Sequence, residues 1–404
     1  MKAYYKITPE GTKDYLFEEA SAINEVANIT TSVYRSKGYH EVKTPGLEFF
    51  DEFNLKSSAI AQERMFKLTD NKGRLMVIRP DSTLPIARVV ATRLQNKPMP
   101  IRLFYNQSVF RSNPSLTGRK NEVRQTGIEL LGAVGKRADL EVIITAIEAL
   151  QKIVPDFRIE LGHAGLFRSL SKKLDCSDEI KESIRDSIQS KNYSQLNSIL
   201  DTLPQSDTVE AIRKLPRLFG GEEVLAQAAP LFEGTEGESD LAYLSEIYHA
   251  LSKLMMGDKL IMDLGFVQRN DYYSDFIFRA FVEGSGDAVL TGGRYDKLLD
   301  EFDAPMPAAG FALNADALAD IMLSSGKSFE EKPADIIVHA DEGFEMDAIS
   351  QCRFYTLSGF KCENSVFTSR DEVIRYAKEN GVKQVCFMSG KPETIDIENM
   401  GEQI

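Results

Sequence analysis

Apolar positions three and four residues apart run through "SAINEVANITTSVYRSKGY" (21–39), a spacing that predicts an amphipathic helix ended by Gly38. The next stretch, "HEVKTPGLEFF", reads as an extended piece interrupted by Pro45. "MFKLTDNKGRLMVIRP" then alternates as two strands, Met65–Leu68 and Leu75–Ile78, with Asp70 to Gly73 making the turn between them. Helical spacing returns in "STLPIARVVATRLQN". "IRLFYNQSVFR" and "RQTGIELLG" are strand-like and enclose a polar loop rich in Ser, Asn, Gly and Lys.

Between about 165 and 256 the pattern is helical with few strand signals, so a helical insertion is expected there. Strand character resumes at "KLIMDLGF", "DFIFRAFVEG" and "DAVLTGGRY". "GFALNADAL" (310–318) runs from an apolar stretch opened by Gly310 into a helix whose first turn holds Asp316 and Ala317. Strands adjacent in sequence, with helices gathered elsewhere, predict an α+β fold around an antiparallel sheet flanked by helices. After the polar "SSGKSFEEKPAD", strand, helix, helix and strand follow one another through 333–404, which predicts a small α/β domain. The expected division is therefore a core over 1–325 that carries the insertion, and that second domain.

Composition narrows the function more than the fold. The chain has 404 residues and a formal net charge of −13, which disfavours a protein that holds nucleic acid by bulk electrostatics. Residues 333–404 alone hold 13 Asp and Glu against 7 Lys and Arg, the opposite of a basic face for RNA. Cys176, Cys352, Cys362 and Cys386 are widely spaced, and with His40, His163, His249 and His339 they form no zinc pattern, so no metal is expected. The start "MKAYYKITPEG" has no apolar leader and no run approaches a membrane span, so a cytoplasmic protein without membrane partners is expected.

Three stretches combine charge with glycine or proline: "RPDST" (79–83), "FRSNPSLTGRKNEVRQTGIE" (110–129) and "QRNDYYSDF" (268–276), with "TGGRYDKL" (291–298) close behind. Singly, each has a plain reading. "RPDST" suits a helix start capped by Asp81 or Ser82. The 110–129 stretch suits a solvated hairpin loop, and tandem tyrosines suit a core. "GSGDAVLTGG" suits a hairpin turn rather than a dinucleotide fingerprint, because no strand-to-helix unit surrounds it.

Their order is more specific than any one of them. From "PEGTKDYL" (9–16) through "GYHEVKTPGLE" (38–48), "MFKLTDNKGRLMVIRPDST", "FR…GR…QTGIE", "DYY" and "GGRYD" to "GFALNADAL", the chain resembles the catalytic core of histidyl-tRNA synthetase. That enzyme is a class II aminoacyl-tRNA synthetase with a helical insertion of its own, and the resemblance implies its fold. It also implies a histidine pocket. Asp81, Thr83 and Gln125 match positions that hold the ligand's α-amino group, Arg111 would face its carboxylate, and Glu129, Tyr272 and Tyr273 match positions around the imidazole. Asp81 stands where the synthetase usually has the longer glutamate.

The departures fall on the ATP half. Activating an amino acid with ATP builds negative charge on phosphate, and aimed cations supply much of the catalysis. Where the synthetase has one arginine ahead of its tyrosine pair, this chain has Gln268; Arg269, one place along, would point to the other face of a strand. Where it has the arginine of its third motif, this chain has Ala317, and Asn113 and Asn314 replace a glutamate and a glycine. Loss of one pre-aimed donor costs about 3–4 kcal/mol, so loss of two charged ones predicts almost no activation.

A synthetase core that keeps the amino-acid pocket and loses the ATP cations resembles the regulatory subunits of ATP phosphoribosyltransferase, the first enzyme of histidine biosynthesis. That resemblance implies a chain with no activity and no cofactor of its own. It implies self-association as a dimer through the 38–48 region and a hetero-oligomer with the short catalytic subunit. It also implies a part in feedback inhibition by L-histidine. Two other readings of the same residues are a divergent histidyl-tRNA synthetase and a stand-alone histidine-binding module.

Overall fold

The computed structural model describes residues 4–55, 60–114, 117–267 and 272–397, without the side chains of 255–257. The chain divides into two units, one ending at Phe329 and one beginning at Glu330.

In the first unit, helix α1 (Phe17–Ser36) starts ahead of the predicted 21, because Glu18 and Glu19 favour the positive end of the helix. It ends where Gly38 takes a φ of 80°, a left-handed stop open to glycine. Strands β1 (His40–Glu41) and β2 (Leu47–Phe49) lie on either side of Pro45. The hairpin forms from β3 (Lys67–Thr69) and β4 (Leu75–Ile78), antiparallel as predicted. Asp70 Oδ1 closes the turn, accepting from the amides of Lys72 at 2.8 Å and Arg74 at 2.9 Å. The first strand begins at Lys67 rather than Met65, whose side chain is drawn into the core.

Helix α2 (Thr83–Arg93) and strands β5 (Ile101–Phe110) and β6 (Glu122–Leu131) follow the pattern of the sequence. Helix α3 (Lys136–Gln151) and strand β7 (Arg158–His163) were not foreseen. The buried residues of α3, among them Ala138, Val142, Ala146 and Ala149, recur three and four apart, an apolar stripe of the ordinary kind. The insertion is α4 (Ala164–Ser171), α5 (Asp178–Gln189), α6 (Tyr193–Leu200), α7 (Asp207–Lys214), the two-residue β8 (Phe219–Gly220), α8 (Glu223–Phe232) and α9 (Gly237–Leu251). Strands β9 (Leu260–Asp263), β10 (Phe276–Phe281), β11 (Leu290–Arg294) and β12 (Ala308–Asn314) precede helix α10 (Ala315–Ser324).

One nine-stranded sheet runs β1-β5-β6-β12-β11-β10-β7-β9-β8. The pairings from β5 to β7 are all antiparallel, whereas β1 against β5 and β9 against β7 are parallel. The period of two along each strand then separates two cores. Phe104, Ile128, Leu130, Phe311 and Leu313 face one of them, with α1, α3 and α10. Leu103, Tyr105, Leu131 and Ala308 face the other, with Leu84, Ile86 and Val90 of α2. Glu129 and Gln125 share the parity of Leu131, and Gly310 that of Ala308. The second face is where the sequence's polar candidates lie.

The second unit has a four-stranded sheet, β14-β13-β15-β16, formed by β13 (Ile336–Ala340), β14 (Cys362–Asn364), β15 (Gln384–Met388) and β16 (Pro392–Asp396). Helices α11 (Glu345–Leu357) and α12 (Arg370–Glu379) complete it. The sequence gives no sign of β14, which is three residues long, or of β16, an antiparallel edge strand opened by Pro392. No helix among the described residues is long and apolar enough to cross a membrane.

Candidate functional site

The pocket is built where α2 begins against the second face of the sheet. Arg79 fixes the approach: its guanidinium donates to the carbonyls of Thr44 (2.8 Å), Pro45 (2.8 Å) and Ser108 (2.6 Å), so it is spent on backbone. The cap of α2 is Asp81, not Ser82. Its Oδ1 accepts from the amides of Thr83 at 2.8 Å and Leu84 at 3.2 Å, while Ser82 makes no side-chain cap bond. Capping holds Asp81 facing Arg111, whose Nη2 is 3.9 Å from Asp81 Oδ2 and whose Nε donates to the Pro80 carbonyl at 2.8 Å.

Beneath them, Glu129 on β6 is only 2 % exposed. Its Oε1 accepts from the Thr83 hydroxyl at 2.7 Å and its Oε2 from the Tyr295 hydroxyl. Burial pushes its carboxyl well above the usual range; the Thr83 hydroxyl opposes this and the Asp81 charge adds to it. Tyr272, Tyr273 and Tyr295 form an aromatic wall, with Tyr272 edge-on to Tyr273 at 4.8 Å and stacked on Tyr295 at 5.6 Å between ring centres. Asp81, Thr83, Arg111, Glu129, Tyr272 and Tyr273 thus meet at one place. Gln125 lies on the same face of β6 but two pleats away, roughly 13 Å along the strand, opposite Gln107 and Asn314.

Tyr295 is the participant that sequence reasoning missed, although "GGRYD" had singled out its stretch. The supports were missed as well. Arg168 of α4 donates to the carbonyls of Tyr273 and Ser274, both at 3.1 Å, and so fixes the backbone of the tyrosine pair. Arg294, next to Tyr295, is buried with Asp139 of α3; its Nε donates to Asp139 Oδ1 at 2.8 Å and its Nη1 to Asp296 at 2.9 Å.

Gly310 lies opposite Glu129 in the β6–β12 register, and a Cβ there would collide with Glu129 Oε2 and the Ile128 carbonyl. Only bare backbone leaves room for the carboxyl. Gly310→Ala is therefore expected to displace Glu129 and lower the melting temperature, measured by thermal unfolding; an unchanged melting curve would contradict this packing.

The other half of the cleft is differently equipped. The start of α10 is sealed by its own residue: Asn314 Oδ1 accepts from the Ala317 amide at 3.0 Å. Asp316 is buried there and accepts from the Arg124 amide at 3.1 Å, and burial raises its carboxyl pKa. Ala317 itself packs against the core of the first face. Cations remain nearby but have partners: Lys120 meets Asp320 at 2.9 Å, Arg119 meets Asp287 at 3.1 Å, and Arg64 donates to Asn113 Oδ1 at 2.7 Å. Asn113 is tied into its own loop by a bond to the Lys120 carbonyl at 2.8 Å. Gln268 and Arg269 lie outside the described residues. Among the described residues, no cluster of His, Cys, Asp and Glu could hold a metal ion.

The profile of the histidyl-tRNA synthetase family matches residues 11–318. An ATP phosphoribosyltransferase regulatory subunit from Bacillus cereus is 36% identical over 399 residues, covering 98% of this chain and 94% of its own length. The protein of the same name from Bacillus mycoides is equally similar. Among solved structures, an ATP phosphoribosyltransferase regulatory subunit/histidyl-tRNA synthetase from Bacillus halodurans superposes with a TM-score of 0.83 at 27% identity, covering 96% of this chain and all of that one. A histidyl-tRNA synthetase from a Nostoc species shares the fold, with a TM-score of 0.75 at 18% identity over 98% of this chain and 99% of that one.

Proposed function

The chain belongs to the family of ATP phosphoribosyltransferase regulatory subunits, built on the histidyl-tRNA synthetase core, and from that premise we propose that it senses L-histidine for the catalytic subunit. It is a regulatory subunit with no catalytic activity of its own. The observation that carries the histidine reading is the buried Glu129 carboxyl, set under a tyrosine wall beside Asp81 and Arg111. Two carboxyl groups suit a ligand's ammonium and imidazole, and one guanidinium suits its carboxylate. The ligand-binding residues in this reading are Asp81, Thr83, Arg111, Gln125, Glu129, Tyr272 and Tyr273, with Tyr295 added.

The same reading assigns no adenylation. A triphosphate needs cations aimed at its charge, and the start of α10 offers a capped amide and a buried carboxyl instead. The chain works as a dimer joined through the region around 38–48 and assembles with the short catalytic subunit for the first step of histidine biosynthesis. Histidine inhibits by linkage: it shifts the assembly only through its different affinity for two arrangements, and a coupling of about 1–3 kcal/mol suffices for a brake.

Calorimetry of the isolated chain is expected to give binding of histidine without ATP and no strengthening of that binding when ATP is added. Histidine-dependent pyrophosphate exchange at an appreciable rate would overturn the regulatory reading. A chain that binds no histidine would overturn the pocket assignment.

A further inference from the structure

Glu129 is a carboxyl without a cation. Among the described residues no Lys, Arg or His lies within ion-pair distance of it, and its two oxygens face the hydroxyls of Thr83 and Tyr295. The groups that surround it are anionic or neutral. Asp81 looks in from the start of α2, Tyr105 from β5, and Tyr272 and Tyr273 from the segment before β10, and each feels or exerts a charge effect with Glu129; Tyr39 lies in the core of the other face with its hydroxyl on Glu141. From β12 comes only the bare backbone of Gly310. Arg111, the nearby cation, is turned to Asp81. An ionised carboxylate in such a place is strongly disfavoured unless a positive partner joins it.

We infer that Glu129 is a neutral carboxylic acid in the empty pocket, and that the α-ammonium of an entering amino acid, which keeps its charge near neutral pH where an imidazole is mostly neutral, displaces its proton to solvent from beside Thr83. Glu129 thereby selects ligands by charge. This rests on the histidine reading of the pocket and adds to it a proton count, with Glu129 set against the ammonium rather than the imidazole that the resemblance implies. The ligand keeps its own protons; the O–H bond of Glu129 breaks, and the proton passes to buffer. The direction of the Glu129 pKa agrees, because burial already holds the carboxyl well above its ordinary value.

Two consequences follow by linkage. While the free pocket holds the acid neutral, binding must expel a proton, so affinity rises with pH by up to about tenfold per unit and then levels off. The empty protein behaves in the opposite sense. Its folded state binds a proton that the unfolded state releases at the ordinary carboxylate pKa, so this residue's contribution to stability declines as pH rises above that value.

The test is titration calorimetry with L-histidine in buffers of different ionisation enthalpy, with thermal unfolding of the empty protein across pH, on wild type and on Glu129→Gln. Wild type should release about one proton per histidine near neutral pH, and Glu129→Gln, which binds more weakly, should release none. The empty Glu129→Gln protein should gain melting temperature relative to wild type as pH rises. Histidine binding with a buffer-independent enthalpy overturns this inference and leaves the histidine site standing. The absence of any histidine binding overturns the histidine reading, and with it the proton release. A melting-temperature difference that does not change with pH overturns the neutral acid by itself, whether or not histidine binds.

Discussion

Glu129→Ala is expected to weaken histidine binding by about 2–5 kcal/mol, roughly thirtyfold to several thousandfold, and to relieve feedback inhibition at ordinary histidine concentrations. The size follows from what is left behind. Truncation removes the buried carboxyl and strands the hydroxyls of Thr83 and Tyr295, each of which pairs with one of its oxygens. A ligand cation entering that space meets two dipoles aimed the wrong way. Assembly should be intact, because Glu129 is buried within the sheet and contributes nothing to the surface. Calorimetry and inhibition assays of the reconstituted complex check both halves. Undiminished inhibition in the variant would place the inhibitory site elsewhere.

The second large effect concerns the fold beneath the pocket. Asp139→Ala should destabilise the first unit by about 3–5 kcal/mol, read from the urea midpoint. Arg294 is 2 % exposed and Asp139 1 %, so the variant leaves a guanidinium in the interior with Asp296 as its remaining anionic partner. Tyr243, which donates to Asp139, loses its acceptor as well. Burial pushes the Asp139 carboxyl up, and Arg294 and Tyr243 draw it back, so the pair stands only because both partners are present. Replacing Asp139 and Arg294 together with apolar residues of similar volume should cost much less than Asp139→Ala. If the double variant is as unstable as the single one, the loss is packing rather than stranded charge.

Local patterns carried much of this structure and none of its long-range pairs. The hairpin at β3 and β4 was readable because Asp70 and Gly73 impose the turn from within four residues. Glu129 and Asp81 were readable because they sit in short stretches of unusual composition whose order resembles a known family. The Arg294–Asp139 pair spans 155 residues, and nothing near either residue marks the other. Helix α3 was as legible as α1, since Ala138, Val142, Ile143, Ala146, Ile147 and Leu150 recur at helical spacing. Tyr295 escaped because a tyrosine in a strand end is usually core, and only the fold brings its hydroxyl to Glu129. Gly310 opens an apolar stretch of the sequence, yet its reason is visible only in the register that sets it against Glu129.

The Asn314 cap bears on how the chain can change from here. Restoring an arginine at position 317 would place a cation on a turn whose amide is already engaged by the preceding side chain, with Asp316 beside it. An anion site at this helix start would need the cap at Asn314 and the carboxyl at Asp316 to change together with position 317. The cap thus acts as a catch: it keeps the start of α10 closed whatever single side chain stands at position 317.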